Sequence, residues 1–177
     1  MKKKIVFIMN PISGTSSKAA VPSLIDSTLD KEQFEYEIKM TERPGHASEL
    51  AAEARDNHAD IVVAVGGDGT VNEVARSLVH SDSALGILPC GSGNGLARHL
   101  LLPMNLKKSI EIINACKIHD LDYGVINEYP FFCTCGMGFD AFVSMKFAES
   151  GKRGPISYAE NILREGLKYE PETYTLE

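Results

Sequence analysis

The chain has 177 residues with 24 Asp+Glu against 18 Lys+Arg, a formal net charge of −6, and is 44% hydrophobic and 24% charged. That composition is globular rather than disordered, and the length suits one domain or one and a fraction. The acidic balance argues against a nucleic-acid binder, and no apolar run approaches the roughly 18 residues of a membrane span.

In chain order, Met1-Lys2-Lys3-Lys4 precedes a short apolar run, Ile5 to Met9, too brief for a secretory leader. The run reads as a strand buried on both faces. Asn10-Pro11 ends it, Ile12 to Ser17 is turn-rich, and a helix is expected to about Leu29. Phe34 to Met40 alternates, as an edge or half-exposed strand should. Ala47, Leu50, Ala51 and Ala54 mark one face of a helix. Ile61 to Val65 is a continuous β-branched run expected at the centre of a sheet. It enters Gly66-Gly67-Asp68-Gly69, followed by a helix with Val71, Val74, Ala75, Leu78 and Val79 on its inner face. Ala84 to Leu88 is a fourth strand, ending at Pro89 and the turn Gly91-Ser92-Gly93-Asn94-Gly95. Helices are expected near Leu96–Leu101 and Leu106–Asn114. Repeated β–α units imply a parallel sheet covered by helices, with ligands beyond the carboxyl ends of the strands.

After Ile118 the pattern changes. Strands are expected at His119–Ile126 and Pro130–Cys135 around a turn at Asn127-Glu128, then a helix Phe139–Ala148, a loop Ser150–Pro155, a helix Pro155–Tyr169 and the opening of a strand at Thr173–Leu176. Cys90, Cys116, Cys133 and Cys135 lack zinc-site spacing and are expected as free thiols in a reducing cytosol.

Two turns carry chemistry. Gly66-Gly67-Asp68-Gly69-Thr70 joins a buried strand to a helix, whose first N–H groups are unpaired and stand at the positive end of the helix dipole, so the segment reads as an anion site. The glycines permit positive φ and close approach of phosphate to backbone. Asp68 fits as a holder of Mg²⁺, directly or through water, or as acceptor of a hydroxyl proton; capping the turn is the alternative. Thr70-Val71-Asn72-Glu73 has the pattern of a capping box, with Thr70 as N-cap and Glu73 third in the helix. Gly91-Ser92-Gly93-Asn94-Gly95 repeats the strand–turn–helix geometry, and two such turns side by side would form a trough for a di- or triphosphate. No GxxxxGK[ST] occurs, which excludes a P-loop ATPase. Gly136-x-Gly138-x-x-Ala141 matches a dinucleotide fingerprint but lies outside the regular β–α run and is read as a decoy.

Asn10-Pro11-Ile12-Ser13-Gly14, Thr41 ahead of Pro44-Gly45-His46-Ala47, Gly66 to Val74, and Pro89 to Arg98 follow one another in an order and spacing that resembles the diacylglycerol kinase catalytic domain family, which includes sphingosine and ceramide kinases and bacterial soluble lipid kinases. The resemblance runs from residue 3 to about residue 170. GGDGT alone is shared with NAD kinases; its combination with NPxSG and GSGNxLA is specific. The Ser92-Gly93-Asn94-Gly95 form is closer to sphingosine and ceramide kinases than to the GTAND form of many bacterial diacylglycerol kinases.

The resemblance implies an α/β fold of the NAD kinase and diacylglycerol kinase kind, a parallel sheet flanked by helices, followed by the start of an incomplete β-rich second domain. It implies ATP held by Asn10, Pro11, Ile12, Ser13, Gly14, Thr41, Gly66, Gly67, Asp68, Gly69, Thr70, Val71, Asn72 and Ser92, with Mg²⁺ reaching Asp68 as Mg-ATP. The reaction implied is transfer of the γ-phosphoryl group to the hydroxyl of a diacylglycerol or sphingoid base. Asp140 resembles an acidic residue near the lipid head group; a helix cap is its other reading. The partner implied is a lipid substrate at a membrane surface, with a cytoplasmic or peripheral membrane location, no nucleic acid, and a homo-oligomer left open. Lys146, Lys152 and Arg153 with Phe142, Phe147 and Tyr158 read more readily as a solvated loop beside an apolar helix than as an interfacial patch.

The organisation expected is a nucleotide-binding domain over residues 1–126 and the beginning of a lipid-substrate domain over 127–177. In the family the second domain supplies much of the lipid site and a general base, so this chain is expected to be an N-terminal portion that binds nucleotide with little turnover. Leu176-Glu177 is also what a cloning junction would leave. A kinase of a soluble substrate, in the manner of NAD kinases, and a non-catalytic nucleotide-binding module are the alternatives.

Overall fold

Strands β1 (Lys3–Met9), β2 (Phe34–Met40), β3 (Ile61–Gly66) and β4 (Ala84–Pro89) form one parallel sheet in the order β2-β1-β3-β4. Parallel pairing requires crossover connections, and each is supplied by a helix: α1 (Val21–Thr28), α2 (His46–Asp56) and α3 (Asp68–Leu78). Side chains alternate across the sheet. Val6 and Ile8 of β1 and Val62 and Ala64 of β3 share a core with α2 and α3 through Ala47, Ala51, Val74 and Leu78. Ile5, Phe7, Ile61, Val63 and Val65 point the other way, into a core with Val21 and Ile25 of α1 and Ile110 and Ile113 of a later helix, α5 (Leu106–Ala115). Burial on both faces is why β1 and β3 read as unbroken apolar runs, each fully buried Val or Ile contributing about 1.5–3 kcal/mol. At the edge, β2 exposes Glu35 and Glu37 and buries Phe34, which produces its alternation.

The chain leaves β1 for β2 on one side and returns to β3 on the other, with Ile5 paired to Ile61 and Met9 to Val65. A crevice opens beyond the carboxyl ends at such a reversal of strand order.

The computed structural model describes residues 2–12, 18–149, 162, 169–171 and 173–175. It divides into two compact units, Met1–Cys133 and Thr134–Glu177. The first extends past residue 126 because a hairpin stays with the sheet. Strands β5 (Gly124–Ile126) and β6 (Tyr129–Phe131) pair antiparallel, Arg76 Nε of α3 donates to Pro130 O at 3.0 Å, and Phe132 packs against the core. The predicted turn is present, with Asn127 and Glu128 both left-handed (φ 46° and 70°) as a tight hairpin requires. Its strands are shorter than the stretches expected from the sequence, since each ends where its partner does.

Helix α4 (Gly95–His99) stops before the Leu101 end expected for it, because the backbone turns left-handed at Leu101 (φ 56°). Val79, expected on the inner face of α3, is its half-buried C-cap. In the second unit α6 (Phe139–Glu149) forms as expected. Most of the loop and helix expected over Ser150–Tyr169 lies outside the described residues, including Lys152, Arg153 and Tyr158. Thr173–Thr175, expected to open a strand, are not in one, and the described residues of this unit hold no strand to pair with them. Among the described residues no helix is long and apolar enough to cross a membrane.

Candidate functional site

Backbone hydrogen bonds continue past the strands and level their carboxyl ends. Thr41 N donates to Met9 O at 2.9 Å, Asn10 N to Val65 O at 3.1 Å, and Cys90 N to Gly66 O at 2.8 Å. Asn10, Thr41, Gly66 to Thr70 and Cys90 to Ser92 therefore stand along one edge of the sheet. Helix α3 begins here, at Asp68, and its first N–H groups, those of Asp68, Gly69 and Thr70, have no intrahelical carbonyl to reach. A Cβ on Gly69 would meet nothing within 4 Å, so the space over this first turn is open.

The positive φ that the glycines of the two turns permit is not used. None has positive φ; among the described residues the positive-φ glycines are Gly45 and Gly138. Gly67 and Gly91 permit close approach of protein to protein. A Cβ on Gly91 would collide with Gly67 Cα, and one on Gly67 would lie 3.1 Å from Gly91 Cα, so the turns after β3 and β4 touch back to back through bare backbone. The left-handed residue of the second turn is Asn94 (φ 54°, ψ 47°), whose buried amide clamps Gly91 from both sides. Its Oδ1 accepts from Gly91 N and its Nδ2 donates to Gly91 O, both at 2.8 Å.

The expected capping box is not formed. Helix α3 starts at Asp68, three residues earlier than a Thr70 cap would require, with Gly67 in extended conformation as N-cap. Thr70 is buried, its side chain fills the space over Gly66, and its Oγ1 accepts from Asn10 Nδ2 at 3.4 Å. Glu73 caps a neighbouring helix instead: its carboxylate accepts from Gly45 N and Ala47 N, each at 3.2 Å, at the start of α2. A carboxylate is favoured at a helix N-terminus by both its hydrogen bonds and the dipole. Ser48 Oγ donates to Glu73 O at 2.9 Å and Ser77 Oγ to Ser48 O at 2.8 Å, fastening α2 to α3. The loop carrying Thr41 is thereby tied to the helix that carries Asp68.

Asp68 is exposed and spans the two turns. Its Oδ1 accepts from Leu96 N at 3.3 Å in the first turn of α4, and a Cβ on Gly93 would lie 3.0 Å from its Oδ2. A Cβ on Gly95 would lie 3.2 Å from Cys133 Sγ and 3.6 Å from Asp68 Oδ1, so the thiol and the carboxylate share that side of Gly95. Asn10 is a brace: Ile12 N donates to its Oδ1 at 3.1 Å and Lys18 Nζ to its carbonyl at 2.6 Å. Lys18, which sequence reasoning missed, is buried, and burial lowers its pKa while Cys90 nearby raises it. It lines a pocket of about 360 Å³ with Cys90, Gly91, Ser92, Arg98 and Met104. A single lysine in a polar turn gave no periodic or motif signal.

Of the other residues expected at the site, Val71 is buried in the core and its N–H donates to Gly67 O at 3.0 Å, while Asn72 is half-buried one turn along α3. Pro11 and Ile12 are exposed; Ser13 and Gly14 lie outside the described residues. Asp140 belongs to the second unit, exposed in the first turn of α6 rather than at its N-cap.

The first unit is an open parallel α/β sheet with two glycine-built helix starts beyond the carboxyl ends of β3 and β4, the end at which such sheets take ligands. Comparison with known proteins narrows this: the chain belongs to the diacylglycerol kinase catalytic domain family, whose model matches residues 4–126. It is 32% identical over 163 residues to a diacylglycerol kinase of Staphylococcus saprophyticus, covering 89% of this chain and 53% of that one. A diacylglycerol kinase of Staphylococcus epidermidis is 31% identical over 163 residues, covering 89% and 51%. The crystal structure of a diacylglycerol kinase from Bacillus anthracis superposes with a TM-score of 0.63 at 24% identity, over 73% of this chain and 48% of that chain, and shares the fold. The chain spans about half the length of the curated relatives it matches.

Proposed function

We propose that the first unit binds ATP with Mg²⁺ and that the protein it represents transfers the γ-phosphoryl group to the hydroxyl of a lipid of the diacylglycerol class. The observation that carries this reading is the contact of the two glycine turns at Gly67 and Gly91, with Asp68 between them and open space over Gly69. A polyphosphate suits that trough because the N–H groups of Asp68, Gly69 and Thr70 face it without intrahelical partners. Asn10 and Thr41 flank it from β1 and β2, and Ser92 from β4.

Among the described residues no three His, Cys, Asp or Glu side chains gather into a metal cluster. Asp68 is therefore a single-carboxylate handle, suited to a Mg²⁺ ion that shares its remaining ligands with phosphate oxygens and water. The ion's contribution is neutralisation of phosphate charge during transfer. The chain's own part is positioning: the α3 start orients the phosphates, and the Asn10, Asn94 and Glu73 contacts hold that start in place. Because the relatives are about twice as long, we expect these 177 residues alone to bind nucleotide and turn over little. A peripheral membrane location follows from a lipid acceptor.

Calorimetry with ATP and Mg²⁺ tests the reading. Wild type binds, and Asp68→Ala binds with the Mg²⁺-dependent part of its affinity lost. No heat with either protein sinks both the kinase and the nucleotide-module versions. Full affinity in Asp68→Ala sinks the metal role alone.

A further inference from the structure

We propose that the loop between α4 and α5, tipped by Leu101, docks the protein onto an anionic bilayer surface. Helix α4 closes in a Schellman motif: Leu102 N donates to Ala97 O at 2.8 Å and Leu101 N to Arg98 O at 3.0 Å. The left-handed position of that motif is normally glycine, because any Cβ is strained there. Here it is Leu101, 89% exposed. Among the described non-glycine residues with positive φ it is the one aliphatic side chain; the others are His, Asn, Cys and Glu. Neither backbone preference nor burial explains a leucine at this position, and strain of this kind marks function more often than accident.

Single exposed leucines need no explanation, but this one is not isolated. Leu100 beside it is also exposed, while Leu102 and Met104 anchor the loop in the core, and Ser109 Oγ donates to Pro103 O at 2.6 Å. The tip is thus apolar and the stem rigid. Arg98 and His99 precede it on α4 and Lys107 and Lys108 follow it on α5, all exposed, and the sequence holds no Asp or Glu between Asp82 and Glu111. Lys107 and Lys108 occupy the first turn of α5, where the helix dipole disfavours cations. An acidic protein that places cations at a helix N-terminus, just after an exposed leucine tip, presents the two components of interfacial binding: an apolar insertion and basic flanks for phosphate head groups. A bilayer fits both; nucleic acid would leave the leucines unused.

The inference rests on the reading of the chain as acting on a lipid, and vesicle binding tests it without nucleotide. The chain is floated with vesicles of phosphatidylcholine alone and of phosphatidylcholine mixed with phosphatidylglycerol. Wild type partitions to the mixed vesicles and little to the neutral ones. Leu101→Gly relieves the strained backbone while removing the tip, so it melts no lower than wild type yet loses roughly tenfold in partition. Lys107→Gln with Lys108→Gln loses the preference for phosphatidylglycerol. Equal partition of wild type to both vesicles, or unchanged partition of Leu101→Gly, overturns the proposal. So does a Leu101-dependent dimer in sedimentation without vesicle binding, which would make the loop a self-association surface. Vesicle binding without ATP binding leaves this inference standing and removes the nucleotide reading; ATP binding without vesicle binding does the reverse.

Discussion

Gly91→Ala and Gly69→Ala place one methyl group on each side of the trough, and the structure predicts opposite signs for their effects on stability. At Gly91 the added Cβ would run into Gly67 Cα and lie 2.9 Å from Asn94 Oδ1 and 3.2 Å from Gly67 N. Two of these are backbone atoms, which cannot rotate away, so the turns must separate. Overpacking of this kind costs about 1–3 kcal/mol. Displacing the Asn94 amide also weakens two hydrogen bonds, each worth about 1 kcal/mol. A total of about 2–4 kcal/mol lowers the Tm of a domain this size by roughly 8–15 °C. At Gly69 a Cβ meets nothing within 4 Å and the residue is in a helix without positive φ. Alanine there stabilises by about 0.5–1 kcal/mol. Its methyl nevertheless stands over the first turn of α3, so ATP affinity should fall by about tenfold or more, the loss of a close backbone contact to phosphate. Circular-dichroism melts and calorimetry with Mg-ATP read both quantities. A Gly91→Ala protein that melts with wild type would refute the back-to-back packing of the turns. Unchanged ATP affinity in Gly69→Ala would refute the placement of phosphate over α3.

Two further outcomes follow from residues that touch no ligand in this reading. Glu73→Ala strips the cap from α2 and should cost about 1–2 kcal/mol by urea melt; Glu73→Gln, which keeps one acceptor, should cost less. Equal losses in the two variants would mean that the acceptor glutamine retains contributes nothing and that the charge and the second bond carry the whole cap. For the thiols, burial pushes the Cys90 pKa up and the Lys18 ammonium pulls it back down. Iodoacetamide at about pH 8 should therefore label exposed Cys133 and Cys135 well before Cys90, whose rate keeps climbing at higher pH. Lys18→Met should slow Cys90 further, since the cation that favours its thiolate is gone; faster labelling in that variant would refute the pairing.

Features with a local cause were legible in the sequence. A strand covered on both faces must be apolar at every position, so β1 and β3 announced themselves, and β2 alternated because one face of an edge strand meets water. The glycine turns were visible as motifs, but their reason was not. Whether a glycine serves positive φ, a ligand or another backbone depends on what faces it, and Gly67 faces Gly91, which is remote in sequence. The same distance hid Glu73. Locally Thr70 and Glu73 spell a capping box, yet Thr70 is taken by Gly66 and Asn10, and Glu73 by the start of α2. A pattern read within one helix cannot see a competing helix packed beside it. Leu101 was expected at the end of α4, whereas the helix ends at His99 and Leu101 is the left-handed residue that closes it, which its apolar character does not signal.

The polar residues of the motifs thus divide by what their side chains already hold. Asn10 binds the turn backbone and Thr70, Asn94 binds Gly91, and Glu73 binds α2, each with its principal polar atoms engaged inside the protein. In the proposed reading, among the described residues, the backbone N–H groups at the start of α3 meet the anion beside Thr41 and Ser92, and the exposed Asp68 carboxylate meets the cation. Recognition built from backbone depends on where a helix begins rather than on which side chains surround it. Substitutions at Glu73 or Gly91 should therefore weaken nucleotide binding through displacement of α3, in proportion to their effect on stability. Asp68→Ala, whose side chain is exposed and makes one long bond to Leu96 N, should weaken Mg²⁺-dependent binding at nearly unchanged Tm. If instead Asp68→Ala lowered Tm as far as Gly91→Ala, the carboxylate would be a brace between the turns like the others, and the cation handle would have to be sought elsewhere in the protein.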